Sequence, residues 1–216
     1  MENYNLNLLT ERLGEIWETL RISIKPYPSC HFTHSFIDCA LHLEKELDIK
    51  WQDTKRVECR ISPRQASIIC EPIEKKRKVT TSYGARFSLP YTIAVALVEG
   101  KVGLKQFAER CLNDKRIITT ASIAGYIKDE TLLKETEHFP GDVTIEMKNG
   151  KRYRFSQKFE RGSRENPLQK NEIKDKFKAN MAEAGMDDEK RIEDISNIVQ
   201  NLEEVTSIGE LTALLR

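Results

Sequence analysis

Asp142-Val143-Thr144-Ile145-Glu146-Met147-Lys148-Asn149-Gly150-Lys151-Arg152-Tyr153-Arg154-Phe155 decides the fold class. Val143, Ile145 and Met147 alternate with polar neighbours, which gives a strand one apolar and one polar face. Asn149-Gly150 follows, the strongest short-range hairpin signal in the chain, so a partner strand is expected from about Lys151 to Phe159. Val57 to Ile61 alternates as well, and Arg21 to Lys25 predicts a further short strand. Helical spacing surrounds these strands. Leu9, Leu13, Ile16, Trp17 and Leu20 predict a helix over 8–20, and Phe36, Ile37, Ala40, Leu43 and Leu47 predict one over 33–47. Thr92 to Val98 is almost wholly apolar, as a buried helix would be. Leu104 to Cys111 continues helically, Ile117 to Tyr126 reads as another packed element, and Arg64 to Cys70 as a short apolar element of open type. Pro26 and Pro28 impose an extended turn. Residues 71–82, with Lys75-Lys76-Arg77-Lys78, are expected as a solvated loop. After Arg161-Gly162-Ser163 the pattern becomes helical only, over 172–184, 189–202 and 208–215. The fold class is therefore α+β, a two-layer α/β sandwich followed by C-terminal helices, with boundaries at 1–19 (a helical lead-in), 20–165 and 166–216.

The 216 residues are enough for a sizeable core. Lys and Arg number 35 against 34 Asp and Glu, a formal charge of +1 that lacks the basic excess of a nucleic-acid binder. No apolar run approaches the roughly 20 residues that span a bilayer. The first residues have neither the basic nor the apolar part of a signal peptide. The five cysteines are widely spaced without a CxxC pair, and read as reduced thiols of a cytoplasmic protein.

Chemistry-bearing side chains concentrate in Lys25-Pro26-Tyr27-Pro28-Ser29-Cys30-His31-Phe32-Thr33-His34, at a strand–turn–helix junction. Lys25 can supply charge to a carboxylate, and a histidine at such a junction can move protons near neutral pH. The plainer alternative is a proline-rich loop with packed histidines. His31 and His34 have a spacing a metal could use, yet no neighbouring Asp, Glu or Cys completes a ligand set, although Asp38 lies one turn on. Cys30 beside His31 makes a poor nucleophile–base pair, because adjacent residues rarely orient onto each other. Tyr83 to Tyr91 forms a second cluster. Arg86 suits a carboxylate and Tyr91 could donate a proton or orient a ligand, or the segment is an ordinary helix entry. Lys151 to Glu165 carries six basic and two acidic residues, which suits an anionic partner or pairing with the acidic stretch 183–204.

Three blocks in order, IKPYPSCHFTH, CEPIEKKRKVTTSYGARFSLPYTIAVALVEG and FERGSRENPLQKNEIKDKF, resemble the MmgE/PrpD family. That resemblance implies a lyase without cofactor or metal acting on small di- and tricarboxylates such as 2-methylcitrate, generally as a homodimer. It also implies that this chain matches the inserted α/β domain and the returning C-terminal helices, while the large all-helical N-terminal domain lies elsewhere. By resemblance Lys25 is a pocket lysine, His34 a histidine of the block and Tyr91 the pocket tyrosine opening the apolar helix. Cys30 stands where the decarboxylase branch has a histidine, which favours dehydratase or epimerase chemistry. The expected roles are acid–base or orienting work for His31, His34 and Tyr91, and substrate binding for Lys25, Ser29 and Arg86. The expected partners are a second copy or a separate N-terminal helical subunit, and neither nucleic acid nor membrane. A chain that keeps the fold without catalysis, or serves as a regulatory or binding subunit, is the alternative.

Overall fold

A computed structural model describes residues 5–134 and 137–215. After 3-10 turns at Leu6–Leu9 and Glu18–Arg21 and a third at His31–Thr33, the chain runs through α1 (His34–Leu47), β1 (Thr54–Ile61), α2 (Pro63–Ile69), α3 (Ile73–Arg77), α4 (Ser82–Arg86) and α5 (Leu89–Glu99). It continues through α6 (Glu109–Leu112), α7 (Lys115–Ser122), β2 (Ala124–Lys128), β3 (Gly141–Met147) and β4 (Arg152–Gln157). The last three helices are α8 (Lys170–Glu183), α9 (Glu189–Gln200) and α10 (Ile208–Leu214).

The expected hairpin is β3–β4, antiparallel with Val143 opposite Phe155 and Ile145 opposite Tyr153. Its connection is a three-residue loop, Lys148-Asn149-Gly150, with Gly150 at φ +84, so only the glycine takes the left-handed conformation the loop requires. Strand order is β2-β1-β3-β4. β1 pairs antiparallel with β3 and parallel with β2, and its register shifts between Thr54 and Arg56. That irregularity lets both Thr54 and Val57 turn inward. Val57, Cys59, Ile61, Val143 and Ile145 are buried. Arg154–Asp142, Arg152–Glu146 (2.8 Å) and Lys55–Glu146 (2.7 Å) pair in rows on the other face. One face wet and one dry leaves a single helical layer, in which α1 lies on β3 and β4 beside α5.

α5 is the centre of that layer. Ser88 Oγ accepts the Tyr91 N–H at 3.1 Å, Pro90 needs no hydrogen bond there, and Gly100 ends the helix. The nine residues Leu89 to Leu97 are all buried, each large apolar side chain contributing about 1.5–3 kcal/mol of transfer free energy. The tail has a much smaller core, in which Met181, Ile192 and Ile195 pack with Phe177, Met186, Leu211 and Leu214. None of the described helices is long and apolar enough to cross a membrane.

Several expectations need correction. No α-helix forms over 8–20. Leu9, Leu13, Trp17 and Leu20 are 65–79% exposed, and a short helix with no surface to pack on is marginal in water. Residues 21–25 join no sheet, and Ile24 N–H donates instead to the Gly162 carbonyl at 2.9 Å. The supposed loop 71–82 contains α3, because two of its cations cap carbonyls of neighbouring elements. Lys76 Nζ donates to Ile68 O (2.6 Å) and Phe87 O (2.7 Å), and Arg77 Nε donates to Ala124 O (3.0 Å). Burial lowers the Lys76 pKa from its usual value. The segment 117–126 divides into the end of α7 and the start of β2.

Candidate functional site

The turn from Lys25 to His34 is tied from within. Ser29 Oγ and Thr33 Oγ1 lie 2.9 Å apart, Thr33 Oγ1 donates to Cys30 O at 2.8 Å, and His34 Nε2 is 3.3 Å from Ser29 O. A carbonyl only accepts, so Nε2 carries the His34 proton and Nδ1 keeps its lone pair. From outside, Arg86 donates to Pro28 O at 2.7 Å while its guanidinium lies 5.1 Å from the centre of the Phe107 ring. Four of the expected site residues are thus largely internal. Ser29, His34 and Tyr91 are buried and Arg86 is half-buried. The Tyr91 hydroxyl donates to Gln106 O at 2.6 Å, and burial pushes its pKa up.

Lys25 faces outward and His31 is half-buried. The His31 ring stands 4.8 Å from His34 and 5.1 Å from Phe139. Desolvation holds the His31 pKa below its ordinary value, against the upward pull of the buried Glu160 carboxylate and with the help of Lys25. His34, with no exposed surface, is lowered to about 3 by desolvation and by His31. Both imidazoles are therefore neutral at neutral pH. His31 Nε2 and His34 Nδ1 are buried and lack hydrogen-bond partners. Lys25 is exposed; its ammonium donates to Ser29 O at 3.4 Å and pairs with no carboxylate among the described residues.

A cluster that sequence reading missed lies beneath this turn. Tyr27 donates to Asp38 Oδ1 at 2.5 Å, and Gln157 Nε2 donates to Asp38 Oδ2 at 2.9 Å. Arg161 NH2 donates to the Tyr27 hydroxyl at 3.0 Å and its NH1 to Glu172 at 2.6 Å, with Nε 3.4 Å from Asp38. Burial raises the pKa of both Tyr27 and Asp38. The local signal was thin, since Asp38 is the first acidic residue of α1 and its neighbours on the same face, His34, Ser35, Leu41 and His42, point to no one chemistry.

Two concavities flank the turn. A small one of about 90 Å³ is walled by Phe32, Ser62, Arg64, Gln65, His138 and Phe139, among others. A groove of about 940 Å³ runs between the turn and α8, lined in part by Lys25, Tyr27, Leu41, Gln106, Arg161 and Lys176. Tyr91 is not on its wall, although its hydrogen-bond partner Gln106 is. Among the described residues no group of three or more His, Cys, Asp or Glu is placed to hold a metal ion.

Cis-aconitate decarboxylase of Aspergillus terreus is 26% identical over an alignment 216 positions long that covers 94% of this chain and 42% of that protein. The chain thus spans about two fifths of the relative's length. The family described as the MmgE/PrpD C-terminal domain matches residues 27–203, from the Tyr27 turn through α9, and by that match the chain belongs to the MmgE/PrpD family.

Proposed function

We propose that this chain is the α/β and C-terminal helical part of a lyase acting on small di- or tricarboxylates, with Lys25 binding a substrate carboxylate. The observation that carries the reading is the state of Lys25, an exposed side chain in no ion pair among the described residues, at the rim of a large groove and on the same turn as His31. An unpaired cation there favours an anionic ligand, and it favours more strongly the charge that builds on a carboxylate as its α-proton leaves. His31, neutral and partly exposed, is the acid–base group of this reading. His34, Ser29 and Arg86 shape the turn, and Tyr91 acts as an orienter through Gln106. Proton transfer then rests on side chains, with loss of a β-hydroxyl as water as the first reaction type, consistent with Cys30 at the position where a decarboxylase would carry histidine. Decarboxylation is the second reading, supported by the name of the Aspergillus relative.

The relative's additional length, and the exposed Val199, Leu202 and Leu215 of the tail, support a working site completed by a second copy or by a separate N-terminal helical subunit. Calorimetric titration of the purified chain with cis-aconitate and 2-methylcitrate tests the binding role. The expected result is binding that falls at least tenfold in Lys25→Met. Binding undiminished in that variant would overturn the assignment. Sedimentation and a turnover assay test the rest, with association and little or no turnover expected of the chain alone. A stable monomer working at ordinary enzyme rates would refute the divided site.

A further inference from the structure

We propose that Arg161 is a positioning residue that clasps the Lys25 turn against α8 and so sets where the Lys25 ammonium stands. The inference rests on the reading of Lys25 as a carboxylate binder. Three contacts from residues 161–176 grip three points around Lys25, and all cross more than a hundred positions of sequence. The first is at Ile24, whose N–H donates to Gly162 O at 2.9 Å. Gly162 itself sits at φ +94 with Ile24 O so close that a Cβ could not be accommodated, so this approach is possible only for glycine. The second is at Lys25, whose carbonyl accepts from Lys176 Nζ at 2.7 Å. The third is at Tyr27, whose hydroxyl accepts from Arg161 and donates to Asp38.

Arg161 makes the third of these contacts, is the chain neighbour of Gly162 in the first, and ties the turn to both α1 and α8. Its guanidinium lies 5.4 Å from the centre of the Tyr27 ring, reaches Asp38 on α1 and pairs with Glu172 in the first turn of α8. A planar fork holds the Tyr27 hydroxyl and the Glu172 carboxylate at fixed angles beside Asp38, a geometry that a rotatable ammonium does not fix. Lys25 itself makes one long hydrogen bond, to Ser29 O, so its position follows the backbone around it. That backbone is held at residues 24, 25 and 27 by the clasp. Helix α8 thereby takes part in the site through the turn it holds.

The test compares the full chain with Arg161→Gln, Arg161→Lys, Glu172→Gln and Lys25→Met. It reads cis-aconitate binding by calorimetry, Ile24 amide exchange by NMR, and thermal stability. Arg161→Gln should weaken binding at least tenfold and speed Ile24 exchange at least tenfold. Glu172→Gln should give a smaller loss of the same kind, and Arg161→Lys should recover part of both. A lower melting temperature with wild-type binding and wild-type Ile24 exchange would show a merely structural Arg161 and overturn the proposal. Should Lys25→Met abolish binding while Arg161→Gln leaves it intact, the clasp fails and the carboxylate reading survives. Should the wild-type chain not bind cis-aconitate, the carboxylate reading is what fails. Ile24 exchange then decides the clasp alone: faster in both Arg161→Gln and Glu172→Gln supports it, unchanged in either refutes it. Should Arg161→Gln fail to fold, Glu172→Gln, which changes only a half-exposed partner, carries the same comparison.

Discussion

α5 and α9 are both short helices with apolar residues at regular intervals, yet they end in very different surroundings. α5 is buried along nine consecutive residues between α1, α7 and β2. α9 buries only Ile192 and Ile195, against its tail neighbours, and leaves Val199 53% exposed. The segment before Lys25 goes further, since Leu6, Leu8, Leu9, Leu13 and Leu20 are 64–79% exposed. Helical spacing marks a face that can be buried; whether it is buried depends on what the rest of the chain places opposite. The body supplies a sheet and the tail supplies only itself. Cooperative stability should accordingly be high in the body and low in the tail.

The largest expected effect is on acidification, and it acts on the body. His34 is neutral and fully buried, with its pKa lowered to about 3 from an ordinary value of 6.5. The unfolded chain therefore binds a proton that the folded chain refuses between those two values. Stability from this group is fully present above pH 6.5 and is lost as pH falls toward 3, with a slope approaching about 1.4 kcal/mol per pH unit. Urea denaturation at stepped pH should show that slope, and a His34→Gln chain should show a shallower one. Equal slopes would contradict the burial assignment.

Core truncation sharpens the contrast between regions. Phe36 on α1 is fully buried within the main core, and Phe36→Ala should cost about 3–5 kcal/mol in the global transition. Ile195→Ala in α9 should cost nearer 2 kcal/mol, and the loss should be confined to amide protection in α9 and α10. Hydrogen exchange that slackens the sheet as much as the tail would mean that the two regions unfold as one unit. Smallest of all, Asp194→Asn breaks an exposed pair with Lys190 and should leave the denaturation midpoint unchanged within error, because such i, i+4 pairs gain little in water.

Much of this architecture was legible because it repeats locally. Alternation at Val143, Ile145 and Met147, the Asn149-Gly150 signal and the unbroken apolar run of α5 each read correctly in a short window. The same window misread Lys75-Lys76-Arg77-Lys78. Charge there suggested solvent, but Lys76 and Arg77 turn inward to carbonyls of α2, the α4–α5 junction and β2, which lie 8, 11 and 47 positions away. The basic stretch after Gly150 likewise pairs with Asp142, Glu146, Asp38 and Glu172, rather than with the acidic residues 183–204 once considered for it. At the site, the Lys25–His34 turn was visible as a density of functional side chains, and the resemblance pointed to the same residues. Which of them face inward was not visible, since Ser29 and His34 differ from Lys25 and His31 only in what folds over them.

Sequence alone determined the periodic elements: the hairpin, α1, α5 and the tail helices, whose patterns follow from backbone geometry and the removal of apolar side chains from water. It also determined family membership, through three ordered blocks. Only the tertiary structure decided the parallel pairing of β1 with β2, the reach of Arg77 to Ala124 on β2, and the clasp of Arg161, Gly162 and Lys176 on the Lys25 turn. Each of those joins residues dozens to more than a hundred positions apart, and a hydrogen bond or ion pair across that distance depends on the whole chain closing around it, which no local pattern encodes.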